Sequence, residues 1–182
     1  MNADRGVPPT PRGFGDPVGR VLERLAQALA IGGGLVLTAL TLMSLYSVAM
    51  RNLAGAPIQG DFELVQLGCA VSVAAFLPFT QLRGANIFVD FFTARASDRT
   101  KARLDGLGSL LVGLALALIA WRTGIGAADA LRNQETTMIM GLPTWWGYGL
   151  MTPSLAVAAA AALYVAWRHW ALHEVAEGED RA

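Results

Sequence analysis

Charged positions fall along the chain so as to leave four long uncharged windows. Leu25 to Met50 is 26 residues, Leu64 to Leu82 is 19, Gly106 to Trp121 is 16 and Thr136 to Trp167 is 32. A helix rises about 1.5 Å per residue and must cross roughly 30 Å of hydrocarbon, so about 20 apolar residues suffice for one span. The third window reaches that length when it starts at Leu104 and ends at Thr123, with Asp105 at one headgroup layer and Arg122 snorkelling to the other beside Trp121. The fourth is trimmed by Pro143, which suits a first helical turn, and by Trp145, Trp146 and Tyr148, which form an interfacial belt. Tyr164, Trp167 and Trp170 form a second belt one bilayer thickness away. The pattern predicts an all-α integral membrane protein with spans at about 26–50, 62–82, 104–123 and 143–167, inside a membrane domain of residues 18–170.

Two flanking stretches have helical periodicity with one apolar face. Val18, Val21, Leu22 and Leu25 oppose Arg20, Glu23 and Arg24; Ile87, Phe88, Phe91 and Phe92 oppose Asp90, Arg95, Asp98 and Arg99. Both are expected to be amphipathic helices lying in the interface, the second at about 86–101. From Arg83 to Arg103 there are five basic and two acidic residues, a net +3 that suits anionic lipid headgroups. Residues 1–17 are rich in Pro and Gly and read as a flexible tail, and residues 171–182 as a second tail. The apolar run after Arg24 is longer than the core of a signal peptide, so it is expected to be an uncleaved anchor.

Composition agrees with this pattern. Of 182 residues, 54% are hydrophobic and 15% charged, against about 25% charged in soluble domains. Fourteen basic residues balance fourteen acidic ones, so no field recruits nucleic acid. The single Cys69 forms no internal disulfide, and no Cys/His cluster has metal spacing. The basic residues before, between and after the windows number 4, 1, 5, 2 and 2, and the positive-inside bias puts both termini and the 83–103 loop in the cytoplasm.

Charge inside a span usually marks an ion or substrate path. By the windows above, every charged residue lies at a span end, in a loop or in a tail, and His169 and His173 follow the last span. This argues against a pump, a proton relay or a haem bundle, and no catalytic residue, cofactor or metal is expected. A membrane-anchor or cytochrome-like subunit of an enzyme complex is the competing class, and it would need a ligating cluster on facing helices. Small residues (Gly32 to Gly34; Ser109, Gly113 and Ala117; Ala158 to Ala162) are expected to let helices approach closely. Pro78 and Pro153 each remove a helical donor and predict kinks. After the turn Gly55-Ala56-Pro57, Asp61 is an expected N-cap, and Glu63 suits the positive end of the second helix. Arg83 and Asp90 bracket the next segment as a candidate pair.

These pieces, in order, resemble the small membrane subunit of tripartite ATP-independent periplasmic (TRAP) transporters. The carrying residues are Arg51, Gly55-Ala56-Pro57-Ile58 and Glu63, then Arg83 and Asn86-Ile87-Phe88-Val89-Asp90, then Glu135-Thr136-Thr137, Leu142-Pro143, Trp145 and Tyr148. The similarity covers about residues 20–167. Members of that family usually carry His where Asn86 stands, and Phe62 here takes the place of an aromatic residue before the matched Glu. The resemblance implies a scaffold subunit in the bacterial inner membrane. It implies as partners a large sodium-coupled elevator subunit, a periplasmic substrate-binding protein that delivers an organic acid, and membrane lipids. It makes Arg51, Glu63, Glu135, Pro143 and Trp145 contact or structural residues on the outer side, and Arg83, Asn86 and Asp90 on the inner side.

Overall fold

The computed structural model describes residues 16–56, 58–83 and 98–179. They form four helices: α1 (Pro17–Ala54), α2 (Asp61–Leu82), α3 (Asp98–Arg132) and α4 (Trp145–Glu179). Within them Pro17–Ala54, Asp61–Leu82, Leu104–Arg132 and Trp145–Arg168 are long and apolar enough to cross a membrane. Among the described residues there is no strand, only an isolated bridge between Thr136 and Pro143. The chain is an all-α, multi-pass membrane protein. α2, with 22 residues, is about 33 Å long and matches one hydrocarbon thickness, whereas α1, α3 and α4 all exceed it.

The helices make a slab rather than a closed square. α4 touches the other three; α3 packs on α4 alone among the described helices, and α1 packs on α2 with a brief contact to α4. Buried positions are mostly Ala and Ser, because lipid offers no water-driven force between helices and close backbone approach must supply the attraction. One cluster joins Ala74 of α2, Leu116 and Ala120 of α3, and Leu155, Ala158, Ala159 and Ala162 of α4. A second joins Ala26, Leu82 and Ala161 toward the other end. Leucines and other large apolar side chains instead cover the outside, as a lipid-facing surface requires.

The small-residue runs divide by face. A Cβ on Gly33 would lie 3.0 Å from Ala75 Cβ and 3.2 Å from the Ser72 carbonyl, while Gly32 and Gly34 face open space. In α3 the buried seam runs Ser109, Gly113, Leu116, Ala120, and Ala117 is exposed. Steps of four alone drift about 40° each around a helix with 3.6 residues per turn, so alternating steps of four and three keep one face on α4. Pro78 and Pro153 sit inside α2 and α4, and neither helix is broken there.

Two expectations differ from the structure. The stretch 18–25 is no separate interfacial helix but the first turns of α1, with Leu22 packed against the second cluster. Nothing in it breaks a helix, so the helix runs straight on into the span. Pro143 lies two residues before α4 rather than in its first turn, because it is held in the bridge to Thr136.

α3 continues as a helix past Thr123 to Arg132. A Cβ on Gly113 would meet Leu163, and one on Gly124 would meet Thr152, a constant antiparallel register that sets Arg122 opposite Ser154. Leu67 meets Gly147 in the parallel α2–α4 pair, which sets Ser154 level with Ala74. Ala74 is well inside α2, thirteen residues from Asp61 and eight from Leu82. Arg122 is exposed at that level. Periodicity could not reveal that level, since the register between two helices is set by which small residues meet. The interfacial segment 86–101 lies almost wholly outside the described residues.

Candidate functional site

The two connections that share one end of the slab are built around two acids at the start of α2. α1 ends at Gly55, whose φ of 66° is the left-handed conformation glycine adopts without strain, and its N–H donates to the Arg51 carbonyl at 3.1 Å. α2 is capped not by Asp61 but by Gly60 at φ 77°, leaving Asp61 as the first helical residue. Its carboxylate accepts a 2.6 Å hydrogen bond from the buried Ser47 hydroxyl of α1, and Ser47 Oγ accepts the Ile58 N–H at 3.3 Å. One hydroxyl thus joins α1, the connection and α2.

The second acid holds the other connection. From Asn133 to Thr144 the chain forms a small hairpin. The Glu135 N–H reaches back to the Ala130 carbonyl at 3.0 Å, Thr144 N–H donates to the Glu135 carbonyl at 3.0 Å, and Thr137 N–H to the Leu142 carbonyl at 2.9 Å. Thr137 Oγ1 accepts the Leu142 N–H at 3.1 Å, and Gly141, at φ 65°, permits the tight return. At the tip, Ile139 N–H donates to Glu63 Oε1 at 2.8 Å and Met140 N–H to Oε2 at 3.0 Å. Both carboxylate oxygens of Glu63 are engaged by backbone of the hairpin, a charge-assisted pair of bonds at the N-terminus of α2, where negative charge is favoured. The Met140 side chain lies against Gly60, where any Cβ would collide with it. The hairpin tip is thereby fastened over the start of α2, with Met138 fully exposed and Ile139 largely so.

The expected site residues separate into two ends. Arg51, Glu63, Glu135, Pro143 and Trp145 come to the hairpin end. Arg51 is exposed in the last turn of α1; Glu135 is exposed and accepts from Asn133 Nδ2 at 3.3 Å; Trp145 opens α4 with its ring edge-to-face to Trp146 at 6.2 Å. Arg83 lies at the opposite end, directly after α2, its guanidinium 4.9 Å from the centre of the Phe79 ring. Asn86 and Asp90 lie outside the described residues. At Arg83's end, the Tyr164 hydroxyl donates to Asp16 at 3.2 Å, tying α4 to the start of α1. Ser47 and the Glu63-binding amides were not visible as site residues in the sequence. A serine at that spacing before Asp61 is the one sign, and it gains meaning only with the antiparallel register.

At this end Asp61 accepts from a hydroxyl and Glu63 from two backbone amides of their own chain. Among the described residues no three His, Cys, Asp or Glu side chains converge as metal ligands would. The arrangement builds a surface. Residues 40–172 match the family model described as tripartite ATP-independent periplasmic transporters, DctQ component. The chain belongs to the DctQ family. The matched region takes in the last 15 residues of α1, all of α2 and α3, and α4 through the second aromatic belt, so the hairpin end lies within the DctQ homology and not in an appended segment. No curated protein and no solved structure matches the chain.

Proposed function

We propose that this DctQ protein is the non-transporting brace of a TRAP-type uptake system. It holds a large sodium-coupled elevator subunit steady while that subunit carries an organic acid delivered by a periplasmic binding protein. The observation that carries the proposal is the family match across four apolar helices whose acids at the hairpin end serve loop architecture, with none turned to a substrate path. The protein lies in the bacterial inner membrane with both termini cytoplasmic. Four basic residues before the first uncharged window and five from Arg83 to Arg103, against the one, Arg51, between the first two windows, support that orientation. The hairpin end then faces the periplasm.

In this reading the docking surface for the binding protein is the fastened hairpin with its exposed Met138 and Ile139, together with Glu135 and Arg51. Glu63 contributes by positioning that hairpin. Trp145 and Pro143 fix its base at the headgroup layer. On the cytoplasmic side Arg83, Asn86 and Asp90 hold the segment after α2 against the membrane. Affinity purification of the tagged chain from native membranes in mild detergent, with mass spectrometry, tests the proposal. A large multi-span subunit co-eluting in fixed ratio is expected; elution alone, or with a haem or flavin enzyme, contradicts it.

A further inference from the structure

We infer that the groove between α1 and α2 is a phospholipid site: one acyl chain lies in the groove, and Arg51 at its hairpin end binds the phosphate of an anionic headgroup. The site is additional to the brace role and does not depend on it. Arg51 then stands where the proposed docking surface meets the lipid.

α1 and α2 touch at Gly33 with Ala75, Leu40 with Gly68 and Ser47 with Asp61, three levels seven residues apart along each helix. Beside that seam Thr41, Ser44 and Cys69 are too short to close the space between the helices. Exposed Leu37, Leu45 and Val48 stand along it, and half-buried Val65 lies on α2. The result is a groove of about 320 Å³. The Thr41 hydroxyl donates to the Leu37 carbonyl at 2.9 Å, so its polar atom is satisfied within α1 and the lining suits a hydrocarbon chain.

Length selects the occupant. From Leu37 to Val48 the groove runs eleven helical rises, about 16 Å, which is roughly half of the 30 Å hydrocarbon thickness. The uncharged window Leu25 to Met50 has its middle beside Leu37 and ends one residue before Arg51. The groove therefore reaches from the bilayer centre to the headgroup level of one leaflet, as one acyl chain does. A partner helix crossing the membrane would need a cleft that continues through the other leaflet.

Charge selects the headgroup. Arg51 is exposed, and it follows Leu37, Leu40 and Ser44 by fourteen, eleven and seven residues, near-whole turns that set it over the same side of α1. Asp61 is engaged by Ser47 and Glu63 by the hairpin amides, and no carboxylate among the described residues is ion-paired with Arg51. A guanidinium at that level binds phosphate through paired N–H donors.

The test uses the full chain with its co-purifying membrane partners, in phosphatidylcholine nanodiscs. Traces of phosphatidylglycerol or of phosphatidylcholine, each with a diazirine midway along one acyl chain, are photolysed, and the labelled residues are mapped by mass spectrometry. The ratio of phosphatidylglycerol to phosphatidylcholine labelling at Thr41, Ser44 and Cys69 should exceed the ratio at Leu42 and Tyr46, on the opposite side of α1 in the same leaflet, by about fivefold. Arg51→Ala should bring the two ratios together at an unchanged melting temperature, since the side chain is exposed, and Arg51→Lys should keep most of the difference. Equal ratios in the wild type, a difference that survives Arg51→Ala, or a groove left unlabelled because a partner's helix covers it, overturns the inference. None of these outcomes bears on the brace role, which the identity of the co-purifying subunit tests.

Discussion

Glu63 and Met140 stand 77 positions apart in the chain, yet the carboxylate of one accepts the backbone amide of the other at 3.0 Å. With the neighbouring bond from Ile139, this makes an acid that reads as a docking residue into the fastener of the surface that docks. Glu63→Ala should free the hairpin tip. Amide exchange at Ile139 and Met140 should quicken by roughly tenfold or more, while amides at the centre of α2 are unaffected. Glu63→Gln, which keeps one acceptor oxygen, should fall between. Unchanged exchange in Glu63→Ala would show that the hairpin holds itself.

The same variants separate positioning from direct contact in transport. Glu63→Ala should raise the concentration of binding protein needed for half-maximal uptake, with maximal uptake largely kept. Changing Met138 and Ile139 together to Ser should do the same with the tip amides still protected. If maximal uptake collapses while the half-saturating concentration holds, the hairpin acts on the transport step instead.

Ser47 is buried and bridges Asp61 and the Ile58 amide. Ser47→Ala strands both partners and should lower stability by about 1–3 kcal/mol, read as a lower melting temperature in detergent. Ser44→Ala, one turn away, serves as the comparison and should change little. Equal melting temperatures would mean water replaces the lost hydroxyl.

Adjacent glycines of α1 should respond oppositely to added bulk. Gly33→Val pushes a side chain into Ala75 and the Ser72 carbonyl, where no flexible group can yield, and should cost about 1–3 kcal/mol. Gly34→Val meets open space and should be tolerated. Comparable losses in both would place the α1–α2 seam elsewhere.

How far the sequence speaks can be judged from particular residues. Four spans follow from where charges stop, and the turn glycines Gly55 and Gly141 sit where chain reversal demands them. What stayed hidden depends on register. Gly113 and Gly124 read only as small residues, and their pairing with Leu163 and Thr152 is what fixes how α3 lies along α4. Asp61 has the residue type of an N-cap, but Gly60 takes that position and frees the carboxylate for a hydroxyl on another helix. Glu63 sits at a favourable helix end in any reading, and the amides that claim it come from a loop that local pattern does not place.

The proposed role is that this chain braces a transporter and moves nothing itself. It is tested most directly by solute accumulation in proteoliposomes under an inward sodium gradient, with the binding protein supplied. The chain with its large subunit should accumulate an organic acid, and the chain alone should accumulate none. Accumulation by the chain alone would contradict the claim outright.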